Sequence, residues 1–429
     1  MMKTRTLLTA LLLCCTVSFL SGQTDACVGG LTQYNITLKN IPFQGKVYLR
    51  SCHLDTYEVI DSAVVKKGKA KLRNTKEWFP DGLYTIVNED HSYRLPVLLD
   101  TETSFTIVLP TQTEESVLVI GSEKNEELQQ FIRKMSLGKV SPQDVSVALE
   151  TSPDSYLTRV KTILYFTHYK QLIDTSFFTL WSRWYNFRDA RSLHTSPYFF
   201  RTLSEYLSDY DVTIEDKSYV IDHLLAQCNL CSRDEITSFI FNTINDLRDP
   251  YYDPLLVHLY DDYNRTWIPE DRERLLKRKM DRLRKIIPGA KIPELVSHDI
   301  EGKAHSTKEI STHYTVLWFW DPDCDHCQVM TPQLHEMYQR LDTLADFEVF
   351  AVEVNEDFDR WKAFSDEHHL WDWINLSTSM GEANIDFIEY FDIMTTPVIF
   401  LIDNQTSAII ARQITLEELE TFFKQHPKN

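Results

Sequence analysis

Hydrophobic and polar positions alternate with a period of two from about residue 28 to residue 120, which is typical of strands with one buried face. Turn-forming residues such as Pro42, Gly45 and Pro110 break the alternation into short runs. The pattern predicts a first domain at 28–120 that is an antiparallel β-sandwich. The expected strands cover 34–38, 46–49, 57–65, 83–87, 93–99 and 105–109.

From about residue 122 to residue 286 the apolar positions recur every three or four residues, as on the buried face of an amphipathic helix. This period predicts an all-α middle domain at 122–286. Ser232 is followed three residues later by Glu235, the pattern of a capping box, and we expect a helix to begin there. The predicted helices cover 126–135, 156–178, 197–210, 218–226, 233–247 and 270–285.

Beyond Pro288 and Gly289, apolar runs of strand length alternate with helical patterns. This order predicts a C-terminal α/β domain at 287–429 with a partly parallel central sheet. Strands are expected at 315–320, 347–354, 398–403 and 408–412, and helices at 325–345, 359–367, 385–391 and 416–425.

Two cysteines stand where the strand at 315–320 gives way to a helical pattern. A turn containing Pro322 separates this strand from Cys324 and Cys327, which are three residues apart. Near a helix N-terminus, unpaired N–H groups and the helix dipole favour a thiolate at Cys324. Cys327 lies one turn farther on and is close enough to close a disulfide. The spacing predicts thiol–disulfide exchange chemistry.

The first 22 residues have the pattern of a secretory signal peptide. Lys3 and Arg5 form a short basic segment, an apolar stretch covers 7–20, and small residues precede an expected cleavage site before Gln23. A stretch of about 14 apolar residues is shorter than a bilayer-spanning helix requires. A lipid anchor at Cys27 is not expected, since no leucine-led box of small residues precedes it. We therefore expect an exported chain without a transmembrane span.

The chain is acidic, with a formal net charge of −19, and export would remove Lys3 and Arg5 and lower this charge by two. Such a chain repels nucleic acid and anionic lipid, so neither is an expected partner. In an oxidising compartment the remaining cysteines can form structural or exchanging disulfides.

The region from residue 287 onward resembles the thioredoxin-fold domains of the exported TlpA/ResA-like family. The resemblance lies in the Cys324–Cys327 pair after an aromatic strand, in Pro332 five residues after Cys327, and in Thr396-Pro397 before an apolar strand. It implies a redox-active disulfide without a diffusible cofactor and a cis peptide bond between Thr396 and Pro397. It also implies that Thr396 contacts a docked thiol partner. The two upstream regions are similar to the β and helical modules that precede such domains in exported bacterial proteins.

The sequence departs from this family at three positions. Asp323 stands where the residue before the first cysteine is usually Trp, and Trp320 lies farther upstream. Met330 and Trp318 replace the two carboxylates that usually handle protons beside the cysteines. Glu353, in the apolar strand at 347–354, is a substitute candidate if it is buried near the pair. Alternatively, Glu353 faces water at the end of the sheet.

The direction of electron flow stays open at this point. His326, immediately before Cys327, resembles the oxidising members of the fold, in which a charged imidazole stabilises the neighbouring thiolate. Asp321, Asp323 and Asp325 crowd the same turn and oppose a thiolate by like charge.

The other cysteines allow several interpretations. Cys228 and Cys231 form a second pair with the same spacing in a break between two predicted helices. They could form a structural disulfide, stay buried thiols, or exchange as a second pair. With His223 they could also belong to a metal site, although a fourth ligand is not evident and no metal is expected. Cys27 and Cys52 could bridge the first strands.

Two function classes follow. The first is an exported thiol–disulfide oxidoreductase, periplasmic or associated with the bacterial cell envelope, that acts on protein thiols or disulfides and exchanges electrons with a redox partner protein. The intact Cys324–Cys327 pair and Thr396-Pro397 favour it. The second is a non-catalytic binding or envelope-assembly protein that uses the fold as a recognition scaffold. The missing carboxylates and the large upstream regions favour this alternative.

Overall fold

A computed structural model of the chain describes residues 30, 31, 33–74, 79–111, 116–152, 155–169, 193, 197–263, 265–341 and 343–428. These residues form two compact units. The first draws on Met1–Tyr206 and Asp222–Arg233, and the second on Leu207–Ile221 and Asp234–Asn429. The region at 122–286 contributes to both units, and the domain boundaries proposed from the sequence stay predictions. The expected signal peptide and Cys27 lie outside the described residues.

The N-terminal region is a sandwich of two four-stranded sheets. One sheet has the strand order β8–β7–β1–β4 and the other β3–β2–β5–β6, and inward-facing residues of both share one apolar core. Strands β1 and β7 pair in parallel, whereas the other pairs within these sheets are antiparallel. The strands are β1 (Tyr34–Lys39), β2 (Lys46–His53), β3 (Thr56–Val64), β4 (Lys69–Asn74), β5 (Gly82–Asn88), β6 (Arg94–Leu99), β7 (Ser104–Val108) and β8 (Leu118–Ile120).

The middle region is helical, as the period of its apolar positions predicts. The helix at 230–247 begins earlier than expected, because Asn229 rather than Ser232 caps it: the Ser232 N–H donates to Asn229 Oδ1 at 2.8 Å. The helices are α1 (Glu123–Ser136), α2 (Pro142–Thr151), α3 (Tyr156–Tyr169), α4 (Pro197–Ser208), α5 (Ile214–Ala226), α6 (Leu230–Leu247), α7 (Asp253–Asp262) and α8 (Glu270–Ile286).

The C-terminal region is a seven-stranded mixed sheet with helices, and the fold class predicted from the sequence is confirmed for all three regions. The sheet has the order β10–β9–β13–β12–β11–β14–β15, so β11 lies between a parallel and an antiparallel neighbour. Its strands are β9 (Val296–His298), β10 (Ala304–Ser306), β11 (Tyr314–Trp320), β12 (Phe347–Glu353), β13 (Ile374–Ser377), β14 (Val398–Asp403) and β15 (Ala408–Arg412). Its helices are α9 (Asp325–Leu341), α10 (Phe358–Glu367), α11 (Phe387–Tyr390) and α12 (Leu416–Gln425).

Strand β11 positions the site because six of its seven residues are buried, which fixes its end in the middle of the sheet. Trp318 and Trp320 belong to the apolar core beneath α9, together with Cys327. Pro332 lies inside α9, as expected from its spacing. The end of β11 and the start of α9 therefore rest on a packed core.

Within the described part of the chain, no helix combines the length and the apolar character that crossing a membrane requires.

Candidate active site

The turn after β11 carries the cysteine pair to the start of α9. The Asp323 N–H donates to Asp321 Oδ1 at 2.8 Å, and the Cys324 N–H donates to the Asp321 carbonyl oxygen at 3.1 Å. The Gln328 side chain donates to the Pro322 carbonyl oxygen at 2.8 Å and ties the first turn of the helix back to the loop. Asp321 thus has a structural role in the turn, in addition to its charge.

The two thiols have different surroundings. Cys324 is partly exposed and its Sγ donates to the Thr396 carbonyl oxygen at 3.1 Å, whereas Cys327 is fully buried. The Cys327 N–H points to Cys324 Sγ at 3.4 Å. The Thr396–Pro397 peptide bond is cis, as the sequence predicts. The structure thus brings Cys324, Cys327 and Thr396 together, and one sulfur of the pair can be reached from outside.

The two thiols differ in pKa because their burial and their hydrogen bonds differ. Partial burial alone would raise the pKa of Cys324, but hydrogen bonds from the side chains of Cys327 and Thr396 and from the backbone of Cys327 and His326 outweigh it and lower this pKa. Burial raises the pKa of Cys327 to about 12, and its hydrogen bond with Cys324 acts in the same direction. Cys324 is therefore suited to act as the attacking nucleophile, and Cys327 as the resolving cysteine.

We expect alkylation to discriminate between the two thiols. At neutral pH iodoacetamide should modify Cys324 at least about tenfold faster than Cys327, because only the thiolate reacts and only Cys324 is partly exposed. The rate at Cys324 should level off at a pH below that for an ordinary cysteine. Mass spectrometry of the labelled peptides measures both rates. Equal rates at the two positions would contradict the assigned difference.

His326 is exposed, and its described contact with the pair is the backbone hydrogen bond to Cys324. The acidic turn has a counter-charge that the sequence did not reveal. Arg360 of α10 forms an ion pair with Asp323 and also lies 3.8 Å from Asp357. Its guanidinium therefore offsets part of the negative charge beside Cys324.

Trp320 is fully buried and packs against Phe364, with 5.4 Å between the ring centroids. Because it is buried, Trp320 is not available for contact with a docked partner. The side chain instead supports the turn from below.

Glu353 is buried rather than exposed at the sheet end. Its carboxylate accepts hydrogen bonds from the Ser377 hydroxyl at 2.6 Å and from the Asn355 N–H at 2.5 Å. Burial raises the pKa of Glu353, the negative charge of Asp321 acts in the same direction, and these hydrogen bonds oppose both. Glu353 lies beside Trp320 in the parallel register of β11 and β12. It is thus a buried carboxyl near the cysteine turn.

The second cysteine pair consists of Cys228 and Cys231, and the structure describes the side chain of Cys228. Cys228 is buried and its Sγ donates to the Leu224 carbonyl oxygen at 3.4 Å, while the side chain of Cys231 lies outside the described residues. Burial raises the pKa of Cys228 to about 12. Among the described residues, no group of three or more His, Cys, Asp and Glu side chains has an arrangement that could hold a metal ion.

Comparison with known proteins gives a family for part of the chain. The profile of a thioredoxin-like family matches residues 312–408. No curated protein matches the chain.

Solved structures similar to the chain include bacterial proteins. A domain of a possible thiol-disulfide isomerase from Cytophaga hutchinsonii is 30% identical, covers 33% of this chain and 93% of its own, and has a TM-score of 0.30. A thiol:disulfide interchange protein from Bacteroides sp. is 22% identical over 33% of this chain and 90% of its own, with a TM-score of 0.29. A thioredoxin-like protein from Bacteroides caccae is 15% identical over 60% of this chain and 95% of its own, with a TM-score of 0.45. With the family match at residues 312–408 and the mixed sheet described above, the C-terminal part of this chain is a thioredoxin-like domain.

Proposed function

We propose that the protein is a thiol–disulfide oxidoreductase that exchanges disulfides with protein substrates through Cys324 and Cys327. The observation that supports this most is the unequal pair: a partly exposed Cys324 held against the Thr396 carbonyl oxygen, with a fully buried Cys327 one helical turn away. Exchange chemistry needs one sulfur that a partner can reach and a second that closes the disulfide afterwards.

In the reductive direction, the Cys324 thiolate attacks one sulfur of the substrate disulfide. The substrate S–S bond breaks, a mixed disulfide forms, and the released substrate thiolate takes a proton. Cys327 then loses its proton and attacks Cys324 Sγ, which breaks the mixed disulfide and releases the second substrate thiol. The substrate gains two electrons and two protons, and Cys324 and Cys327 become a disulfide. The same steps in reverse oxidise a dithiol.

The protein backbone beside the pair supplies a docking edge. Thr396 and Pro397 precede β14, and main chain at this point can pair with an extended substrate segment. Glu353 is our candidate for accepting the proton of Cys327, since it is the buried carboxyl beside the end of β11. The chemistry needs no diffusible cofactor, only a redox partner protein that returns the pair to its starting state.

The cellular place that fits this proposal is the periplasm or the cell envelope. The signal-like first 22 residues support export, and an oxidising compartment contains the disulfides on which such a pair acts.

The test is trapping with Cys327→Ser in the native host. We expect mixed disulfides to accumulate on Cys324, because the resolving thiol is absent, and non-reducing electrophoresis followed by mass spectrometry would name the substrates. The double variant Cys324→Ser/Cys327→Ser is the matched control and should trap nothing. If Cys327→Ser traps no partner and the purified wild type exchanges with no protein disulfide, the oxidoreductase proposal fails and the scaffold alternative is favoured.

A further inference from the structure

A cavity of about 340 Å³ lies among α6, α7, α8 and the end of β15, all within the second unit. Part of its wall is apolar, since Ile244, Leu256 and Leu283 line it and are almost fully buried. Sites for small molecules have this size, with mostly apolar walls and a few polar groups that orient the ligand. The cavity is therefore large enough for a ligand with several carbon atoms.

Arg412 contributes a buried guanidinium to the wall of this cavity. Its side chain is only 9% exposed, and its Nη1 lies 3.1 Å from Asp253 Oδ2. Within the part of the chain that the structure describes, the buried Nε of Arg412 has no hydrogen-bond partner, and the ion pair at Nη1 lacks the geometry of a hydrogen bond. A buried N–H of a charged group costs free energy when it has no acceptor. An oxygen atom of a ligand in the cavity would supply that acceptor.

Two more cationic side chains line the cavity and form no ion pair with the described residues. Lys279 of α8 is half-buried and donates to the neutral Asn245 Oδ1 at 2.7 Å. Because an ammonium group has three donors, Lys279 can donate to a further acceptor. Arg248, which follows α6, is exposed and adds a third positive charge. These groups favour an anionic ligand.

Three carboxylates also line the cavity, but each already has a partner in the protein. Asp253 pairs with Arg412, and Asp392 lies 3.2 Å from Arg282, which is not a lining residue. Asp249 accepts hydrogen bonds from a backbone N–H and from a tyrosine hydroxyl. The charges that still lack a counter-charge are therefore positive. Because the carboxylates would repel a multiply charged anion, the lining favours a ligand with a single negative charge.

We propose that this cavity binds a small organic carboxylate that has one negative charge and an apolar chain. The carboxylate accepts hydrogen bonds from Arg412 Nε and from Lys279, as guanidinium and ammonium groups commonly donate to carboxylates. The chain packs against Ile244, Leu256 and Leu283 and loses contact with water. Binding makes and breaks no covalent bond, and the inference does not depend on the proposed exchange function.

The test is isothermal titration calorimetry of the full chain with hexanoate as the probe. Hexanamide has the same length without the charge, and inorganic phosphate has charge without the apolar chain. We expect hexanoate to bind at one site per chain, with both comparison compounds at least about tenfold weaker. A dissociation constant for phosphate equal to that for hexanoate would contradict the assigned role of the apolar wall.

Two substitutions test the cationic groups of the cavity. Arg412→Gln should weaken the binding of hexanoate at least about tenfold, and Lys279→Gln about fivefold. Lys277→Gln is the matched control, because Lys277 lies on the same helix, pairs with Asp281 and does not line the cavity. It should bind hexanoate like the wild type. Circular dichroism checks that each variant folds, and if Arg412→Gln does not fold, Lys279→Gln and its control decide the test.

Three results would overturn the proposal. The first is equal affinity for hexanoate and hexanamide, which would mean that the cationic groups do not hold a carboxylate. The second is an equal loss of affinity in Lys277→Gln and Lys279→Gln, which would assign the binding to general surface charge. The third is no heat of binding for hexanoate at about 10 mM, where even a weak site would be largely filled.

Discussion

Replacing Cys324 with serine should reduce the exchange of protein disulfides to the uncatalysed background, a loss of about a thousandfold or more. A serine hydroxyl is not ionised at neutral pH and cannot form the mixed disulfide, so both steps of the cycle are lost together. The structure makes Cys324 the sole accessible sulfur of the pair, since Cys327 is fully buried. The reduction of insulin by the full chain, with dithiothreitol as electron donor, measures the effect.

Cys228→Ser is the control for this loss. It makes the same chemical change at a buried thiol of the second cysteine pair, and burial holds the pKa of Cys228 at about 12. We expect it to retain wild-type turnover. A loss of activity in Cys228→Ser would mean that this pair takes part in exchange, and full activity in Cys324→Ser would refute the assigned nucleophile.

Removing the carboxylate of Asp253 should destabilise the second unit by about 3–5 kcal/mol, because it takes away the ion-pair partner of a buried guanidinium, for which Asp392 supplies a smaller attraction. Asp253 begins α7 and lies 3.1 Å from Arg412 at the end of β15, and their side chains are only 10% and 9% exposed. Urea unfolding of the full chain, followed by circular dichroism, measures the change in the transition of this unit. An Asp253→Ala variant as stable as the wild type would contradict the prediction.

Two further variants test whether the burial of this ion pair causes the expected loss of stability. Asp281→Ala removes two solvent-accessible ion pairs, with Lys277 and with Arg284, and should cost less than about 1 kcal/mol. Replacing both members of the buried pair, as in Asp253→Leu/Arg412→Met, should recover most of the loss. Burial raises the pKa of Asp253 to about 6, although Arg412 and Lys279 oppose this, so desolvation already outweighs attraction within the pair. An apolar pair avoids that cost.

The sequence predicts those features of the fold that depend on long, regular patterns. The alternation at β1 and the apolar run of β11 both gave strands close to their observed bounds. The short strands β9, β10 and β13 were not predicted, since three or four residues are too few to show a period. The parallel pairing of β1 with β7 was also missed, because alternation does not specify the direction of a neighbouring strand.

In the candidate site too, features with a local sequence signal were predicted, and features that depend on folding were not. The spacing of Cys324 and Cys327 and the Thr396-Pro397 dipeptide are local signals, and the structure brings these residues together. Arg360 and Ser377 were missed because their partners, Asp323 and Glu353, are distant in sequence and meet them only in the folded chain. For Glu353 the sequence left burial and exposure open, and only the sheet register decides between them.

The complete burial of Cys327 bears on how the protein survives oxidative damage. Of the two thiols in this pair, peroxide can reach only Cys324 and would convert its thiolate to a sulfenic acid. A further oxidation to sulfinic acid is irreversible for most proteins, but Cys327 lies one helical turn away and can condense with the sulfenic acid first. That reaction releases water and leaves a disulfide, which the proposed redox partner can reduce again. The buried thiol of Cys327 therefore protects Cys324 from irreversible oxidation.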